Sequence, residues 1–281
     1  MEIPDNETTQ AIDLATLRGE GPRKPKKEKL DLYEVPADSV FGDSLPGLVR
    51  VHNEDCYACC CKPDGHLTLA VVADGIGGGD HGEVASAACI TEMIRSWREF
   101  SSRYQDTTWE NAQEHLAQAI LEANKQIYKK GQALGIHMGT TIAALQFADR
   151  YAVIANAGDS RVYRFRNNEL EQLSTDHTLV AEALAKGEIS QEEAENSPFR
   201  HTITRAVGVA EHVSSQIKVV DHLPGDCYLL CSDGLTLHVS DDEIRQELEA
   251  CYDPEQCVEH LIRKTLCGGA RDNVTIIAVF A

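Results

Sequence analysis

Val71-Val72-Ala73-Asp74-Gly75-Ile76-Gly77-Gly78-Gly79-Asp80-His81-Gly82-Glu83-Val84 runs from an apolar segment through one carboxylate into a glycine-dense turn, then into apolar residues at helical spacing. An acid therefore closes a buried strand. An isolated ionised carboxylate in such a place is costly unless positive charge meets it, and a divalent cation is a suitable partner. The same turn invites two nucleotide readings. Gly77 to Gly82 fits the G-x-G-x-x-G pattern, but a dinucleotide site needs a second strand ending in an acid about 20 residues on. Here helical text continues to Trp97. Asp74 and Asp80 would also face a pyrophosphate with like charge, and no Lys-Ser or Lys-Thr closes a phosphate loop of the Walker type. Neither nucleotide reading is retained.

Upstream, Leu48 to Cys59 is strand-like on both sides of a polar Asn53-Glu54-Asp55 insert. Lys62-Pro63-Asp64-Gly65 reads as a turn, so Tyr57–Cys60 and Leu67–Ala73 are expected to pair as neighbouring strands. That pairing would draw Glu54, Asp55 and Asp74 together. Downstream, Val84 to Trp97 and Trp109 to Ile127 carry apolar residues spaced by threes and fours, which predicts two helices side by side over one sheet face.

After Gly139 the period changes. Thr140–Phe147, Tyr151–Ala157 and Val162–Arg166 read as a meander, hence antiparallel. Thr178–Lys186 and Ser190–Asn196 read as two short helical pieces in an insertion at about 178–202, of the kind that forms a flap beside a site. Ile203–Val207 is expected to rejoin the sheet. Val213–Leu223 and Cys227–Cys231 are further strands, the second ending at Ser232-Asp233-Gly234. Helices at Asp241–Ala250 and Glu255–Leu266 follow, and Arg271-Asp272-Asn273 enters a last strand, Val274–Phe280. Strand runs alternating with helix pairs predict an α+β fold, antiparallel sheets covered by helices on both faces.

The 281 residues carry a formal net charge of -19, and Met1–Leu30 hold six acids and six bases, so the excess lies in the remainder. A surface of that sign repels nucleic acid and anionic membrane, which excludes polyanionic partners. No apolar run reaches the roughly 18 to 20 residues of a spanning helix, and the N-terminus lacks a signal-peptide layout; a cytosolic protein is expected. Ten cysteines sit mostly in apolar segments and read as core thiols. Cys56, Cys59, Cys60 and Cys61 include a C-x-x-C spacing, but no second pair completes a zinc set. Residues 1–38, charged and broken by proline, read as a disordered tail, with a basic docking segment as the alternative. Residues 39–281 form the folded domain.

Asp74, Asp233 and Asp272 share one grammar, an acid beside glycine or asparagine where strand meets loop. Each alone could cap a helix or satisfy a turn. Repetition favours a site, and oxygen ligands without matching cysteine or histidine favour a hard cation, Mg or Mn.

The ordered series Arg50-x-x-Asn53-Glu54-Asp55, Val72-Ala73-Asp74-Gly75-Ile76-Gly77-Gly78, Met138-Gly139-Thr140-Thr141, Ala155-Asn156-Ala157-Gly158-Asp159-Ser160-Arg161, Ser174-Thr175-Asp176-His177, Thr204-Arg205-Ala206-Val207-Gly208, Leu230-Cys231-Ser232-Asp233-Gly234 and Arg271-Asp272-Asn273-Val274-Thr275 resembles the PPM-type, or type 2C, metal-dependent protein serine/threonine phosphatases in their bacterial style. Eight motifs in family order are specific where one is weak. The resemblance implies a four-layer α-β-β-α sandwich of two antiparallel sheets flanked by helix pairs, with two Mn2+ or Mg2+ ions at one edge. It implies Asp74 as the bridging ligand, the Gly75 carbonyl as a ligand of one ion, Asp233 and Asp272 as ligands of the other, and Glu54 and Asp55 acting through bound water. Arg50 matches the substrate-phosphate position; a planar, permanently charged guanidinium suits that task.

Such a centre would hydrolyse phosphoserine or phosphothreonine on proteins with a metal-activated water, its partners being kinase substrates or a Ser/Thr kinase itself. The chain departs from the pattern at Ile76, where some relatives carry a histidine that could protonate the leaving oxygen, so the general acid is unassigned; His177 and Asn273 are auxiliary candidates. Gln132 to Met138 hold no carboxylate where relatives place a ligand of a third ion, so a third metal is not expected. Two other functions stay open at this point: a phosphatase-like module that binds phosphoproteins without turnover, and a phosphatase of small phosphoesters. The presence of all three metal acids speaks against the first.

Overall fold

The computed structural model describes residues 33–77, 81–103 and 107–281. One antiparallel sheet contains β1 (Val35–Pro36), β3 (Asp55–Cys61), β4 (His66–Ile76), β5 (Gly139–Thr140), β6 (Ile142–Ala148), β7 (Tyr151–Ala157) and β10 (Gln216–Asp221). The other runs β2-β12-β11-β8-β9, with β2 at Val40–Leu45, β8 at Arg161–Arg166, β9 at Glu169–Gln172, β11 at Cys227–Cys231 and β12 at Val274–Phe280. Helices α1 (His81–Arg103) and α2 (Trp109–Leu134) cover the first sheet; α5 (Asp233–Thr236), α6 (Asp241–Ala250) and α7 (Pro254–Cys267) cover the second.

Strand alternation builds the layers. Leu69, Val71 and Ala73 of β4 face α1 and α2, where they meet Ile90, Met93 and Leu116. Their neighbours Ala70 and Val72 face the opposite sheet, against Tyr228, Leu230, Ile277 and Val279. Leu229 and Cys231 of β11, with Ile276 and Ala278 of β12, point outward onto Ile244, Val258 and Leu261. Three apolar layers thus separate four layers of secondary structure, and each fully buried large aliphatic side chain contributes about 1.5–3 kcal/mol. Both tryptophans take the core-anchoring places expected of them. Trp97 is 8% exposed and donates from Nε1 to Thr68 Oγ1, and Trp109 packs its edge against Tyr151.

Helix starts follow their capping residues. The Thr108 and Thr178 hydroxyls each accept a backbone N–H, Ser190 and Ser240 form capping boxes with Glu193 and Glu243, and Asp253 caps α7 with Pro254 in its first turn. The insertion holds α3 (Leu179–Ala185) and α4 (Gln191–Glu195), as the two expected pieces around Gly187. Its base is closed by the Thr178–Ile203 bridge and the Leu179 N–H donating to the Thr202 carbonyl.

Several boundaries differ from expectation. Ile203–Val207 forms no strand; Val207 makes only an isolated bridge to Thr140, itself pinned by side-chain bonds. Val213–Leu223 shortens to β10 because only Gln216–Asp221 find partners in β7. Leu48–Val51 is loop, with Leu48, Val49 and Val51 exposed by 65%, 65% and 86%, because no strand lies alongside. The sheet begins inside the stretch assigned to the tail, since Val35 is buried and pairs with Leu67. The rest of that expectation, residues 1–32, lies outside the described residues. Among the described residues, no helix is long and apolar enough to cross a membrane.

Candidate metal centre

The hairpin register sets Asp55 directly opposite Asp74. Like charges in such a pair are unfavourable in a sheet, so a second influence must hold them. Part of it comes from the other sheet. Asp55 is 2% exposed, and its Oδ2 accepts from Ser232 Oγ at 2.8 Å and Thr275 Oγ1 at 2.7 Å, while no donor faces its Oδ1. Burial pushes its pKa up to about 6.

The backbone of Asp74 is clamped by the Gly-Thr-Thr segment. Its N–H donates to Thr141 Oγ1 at 3.0 Å, and its carbonyl accepts from the Thr141 N–H at 2.8 Å and Thr140 Oγ1 at 2.9 Å. Burial raises its carboxyl pKa well above the usual range, and Asp55, Asp233, Asp159 and Asp272 raise it further. Asp233 starts α5 directly after β11, and burial, then Asp159 and Asp272, push its pKa up to about 8.

The turn after Asp74 needs its glycines. A Cβ on Gly75 would lie 2.3 Å from the Gly82 carbonyl oxygen and 2.5 Å from that of Glu54; one on Gly82 would lie 2.8 Å from the Glu54 carboxylate. The first turn of α1 therefore sits on the Asp-Gly turn with Glu54 between them. Asn273, proposed from the motif as auxiliary, ties down the loop before β3. Its Oδ1 accepts from the Glu54 N–H at 2.9 Å, and its Nδ2 donates to the carbonyls of His52 at 2.8 Å and Pro46 at 3.1 Å.

Arg50 reaches the cluster by a bond the sequence does not reveal, from Nη2 to Asp272 Oδ2 at 2.7 Å. His177 sits elsewhere, at the base of the flap. Its Nδ1 accepts from the Gly158 N–H, and burial, then Arg205, lower its pKa. It lines a cavity of about 330 Å³ with Asp176, Glu182 and Arg205, a lining that includes neither Asp55 nor Asp74. In the same flap, burial and then Arg200 lower the His201 pKa, against the opposing pull of the Asp272 carboxylate. Asp159 was quoted only as part of a motif, yet it is 6% exposed, leaves Oδ1 without a partner, and acts on both Asp74 and Asp233. Its Gly-Asp-Ser setting signals a turn whether the acid points in or out.

The residues present fit divalent cations of the hard class. Their donors are oxygens, two buried carboxylate oxygens lack partners, and the charges that most raise the Asp74 pKa are four more carboxylates. Among the described residues, Asp74, Asp233 and Asp272 do not bring one oxygen each within 4.8 Å of the others.

Oxygen donors at the facing edges of two antiparallel sheets, beneath helices on both sides, make a candidate centre for hard divalent cations. The comparisons narrow this. The family model described as protein phosphatase 2C matches residues 50–266. The serine/threonine phosphatase stp of Listeria welshimeri is 38% identical over 235 residues, covering 83% of this chain and 92% of that protein. The crystal structure of the Mycobacterium tuberculosis serine/threonine phosphatase PstP/Ppp superposes with a TM-score of 0.76 at 33% identity, over 86% of this chain and 97% of that one. A PstP catalytic domain in complex with two manganese ions gives 0.74 at 32%, over 86% and 96%. The chain belongs to the protein phosphatase 2C family, and it is a metal-dependent protein serine/threonine phosphatase.

Proposed function

We propose that this enzyme hydrolyses phosphoserine and phosphothreonine esters on cytosolic proteins with two divalent cations, Mn2+ or Mg2+, and that its substrates include a Ser/Thr kinase or that kinase's targets. In this reading Asp74, the Gly75 carbonyl, Asp233 and Asp272 are the direct ligands, and Glu54 and Asp55 act through water. The observation that carries it is the inter-sheet cluster itself: burial raises Asp55, Asp74 and Asp233, and neighbouring carboxylates raise Asp74 and Asp233 further, an excess of acid that two cations would relieve. Bound cations of this class supply a water of lowered pKa and neutralise phosphoryl oxygens.

The protein's own groups do the rest. Arg50 is half-exposed at the rim, so its guanidinium can turn from Asp272 to a phosphate and hold it by two parallel N–H bonds. Asp55 and Asp159 each keep a buried carboxylate oxygen free to accept a proton or a water hydrogen. Thr140 and Thr141 fix the direction from which Asp74 faces the cluster. Ile76 offers no proton to the leaving oxygen. The ten free thiols match the reducing conditions of a cytosolic setting, and the formal charge of -19 favours protein over polyanionic partners.

The test is phosphate release from a phosphothreonine peptide by chelator-stripped protein, with and without Mn2+ or Mg2+, beside Asp74→Asn and Asp272→Asn. Metal-dependent release, lost in both folded variants and faster than release from a small aryl phosphate, is expected. Full activity in either variant overturns the ligand assignment, and no release from folded, metal-loaded protein overturns the catalytic reading.

A further inference from the structure

A second cluster lies on the outer helical layer, in the stretch of chain between Asp233 and Asp272. Helices α6 and α7 are joined by only Cys251, Tyr252 and Asp253. Glu247 lies in the last turn of α6, Cys251 caps its end, and His260 lies two turns into α7. The tight connection folds these three onto one spot. His260 Nδ1 lies 3.1 Å from Glu247 Oε2 and 3.8 Å from Cys251 Sγ, and all three atoms lie within 4.8 Å of one another.

These hydrogen-bonded spacings also lie close to those of a metal site. Zinc bonds of about 2.0–2.1 Å to nitrogen, 2.0–2.2 Å to oxygen and 2.3 Å to sulfur, set tetrahedrally, place nitrogen and oxygen roughly 3.3 Å apart and nitrogen and sulfur roughly 3.6 Å apart. One ring nitrogen faces both other donors, as a shared ion requires. We propose that Glu247 Oε2, Cys251 Sγ and His260 Nδ1 bind Zn2+ or a similar borderline divalent cation, with water as fourth ligand, and so clip α6 to α7.

Charge and exposure are consistent with this. A thiolate and a carboxylate neutralise a divalent ion, and the second Glu247 oxygen is held by Lys264 Nζ at 3.1 Å, which fixes the carboxylate from outside. The Cys251 side is buried, whereas the His260 side chain is 36% exposed and leaves a way in for the ion and its water. Binding as thiolate would release the Cys251 proton to solvent. A sulfur-nitrogen-oxygen set selects against Mg2+, so the chain would sort its cations by donor type, hard ions at the sheet edges and a borderline ion between the helices.

Cobalt separates this site from the catalytic one, because only a thiolate ligand gives a sulfur-to-cobalt charge-transfer band. Reduced, chelator-stripped full chain is titrated with Co2+ and then with Zn2+. The expected result is a saturable near-ultraviolet band, with the visible bands of tetrahedral cobalt, bleached by Zn2+. The band is lost in Cys251→Ser, requires at least about tenfold more Co2+ in His260→Ala, and survives in Asp272→Asn. Mn2+-supported phosphatase activity in Cys251→Ser serves as the control for folding and should be retained. Absence of the band from the wild type, or its persistence in active Cys251→Ser, would overturn the proposal.

Discussion

In metal-free protein, Asp55 should make stability fall as pH rises, and removing its charge should lessen that fall. Its carboxyl ionises near 3.9 in an unfolded chain and at about 6 in the fold. Below about pH 4 both states hold the proton. Between about 4 and 6 the folded protein keeps a proton that the unfolded chain has released, so stability declines with rising pH and the loss is complete above about 6. A displacement of roughly two pH units corresponds to about 3 kcal/mol, or roughly 6–12 °C in Tm for a domain of this size.

The assay is thermal melting of chelator-stripped wild type and Asp55→Asn at pH 5 and pH 7.5. Asparagine keeps an oxygen to accept from Ser232 and Thr275 but carries no charge opposite Asp74. The variant should therefore gain on the wild type between the two pH values, and the comparison cancels the general repulsion of a highly acidic surface. Saturating Mn2+ should remove the wild-type deficit at pH 7.5, because an ion that binds only the folded state stabilises it. Equal pH dependence in the two stripped proteins would refute the claim that Asp55 is held against its charge.

Arg50→Ala should lower kcat/KM on a phosphothreonine peptide roughly ten- to hundredfold, the scale of a charge-assisted phosphate contact, with Arg50→Lys recovering only part; steady-state kinetics at saturating metal check it. Asn273→Ala removes three hydrogen bonds that anchor the loop before β3, and should lower Tm by several degrees and weaken metal dependence together, measured by melting and by Mn2+ titration of the rate. Gly75→Ala drives a methyl into the Gly82 and Glu54 carbonyl oxygens, and should abolish turnover and reduce the yield of soluble protein, assayed on the purified fraction. Thr141→Val keeps the shape but loses the bonds to the Asp74 N–H and to Ser160, so turnover should fall while far-ultraviolet circular dichroism is unchanged.

Local signals carried most of the fold. The Lys-Pro-Asp-Gly turn set the β3–β4 pairing, and capping residues marked helix starts to within a residue or two. Strand β2 was faint because an edge strand with Gly42, Asp43 and Ser44 has little apolar alternation; it is held by pairing with β12, more than 200 residues away. Leu48–Val51 misled for the converse reason, since apolar residues with no neighbouring strand have no ladder to join. At the centre, the acids at strand ends were legible because Asp-Gly at the close of an apolar run is a repeated pattern. The Arg50–Asp272 pair and the inward turn of Asp159 were not, since both depend on which strands end up side by side.

Asp55 and Asp74 belong to one sheet, while Asp233 and Asp272 border strands of the other, so the spacing of the proposed centre would be set by how far apart the two sheets stand. That gap is filled by side chains that never meet substrate, among them Val72, Tyr228 and Ile277. They act as the shim in a vice whose jaws carry the chemistry. A sequence can then retune its rate by changing the thickness of this filling, leaving every ligand in place, and a pair of homologues with identical acids need not share a turnover number.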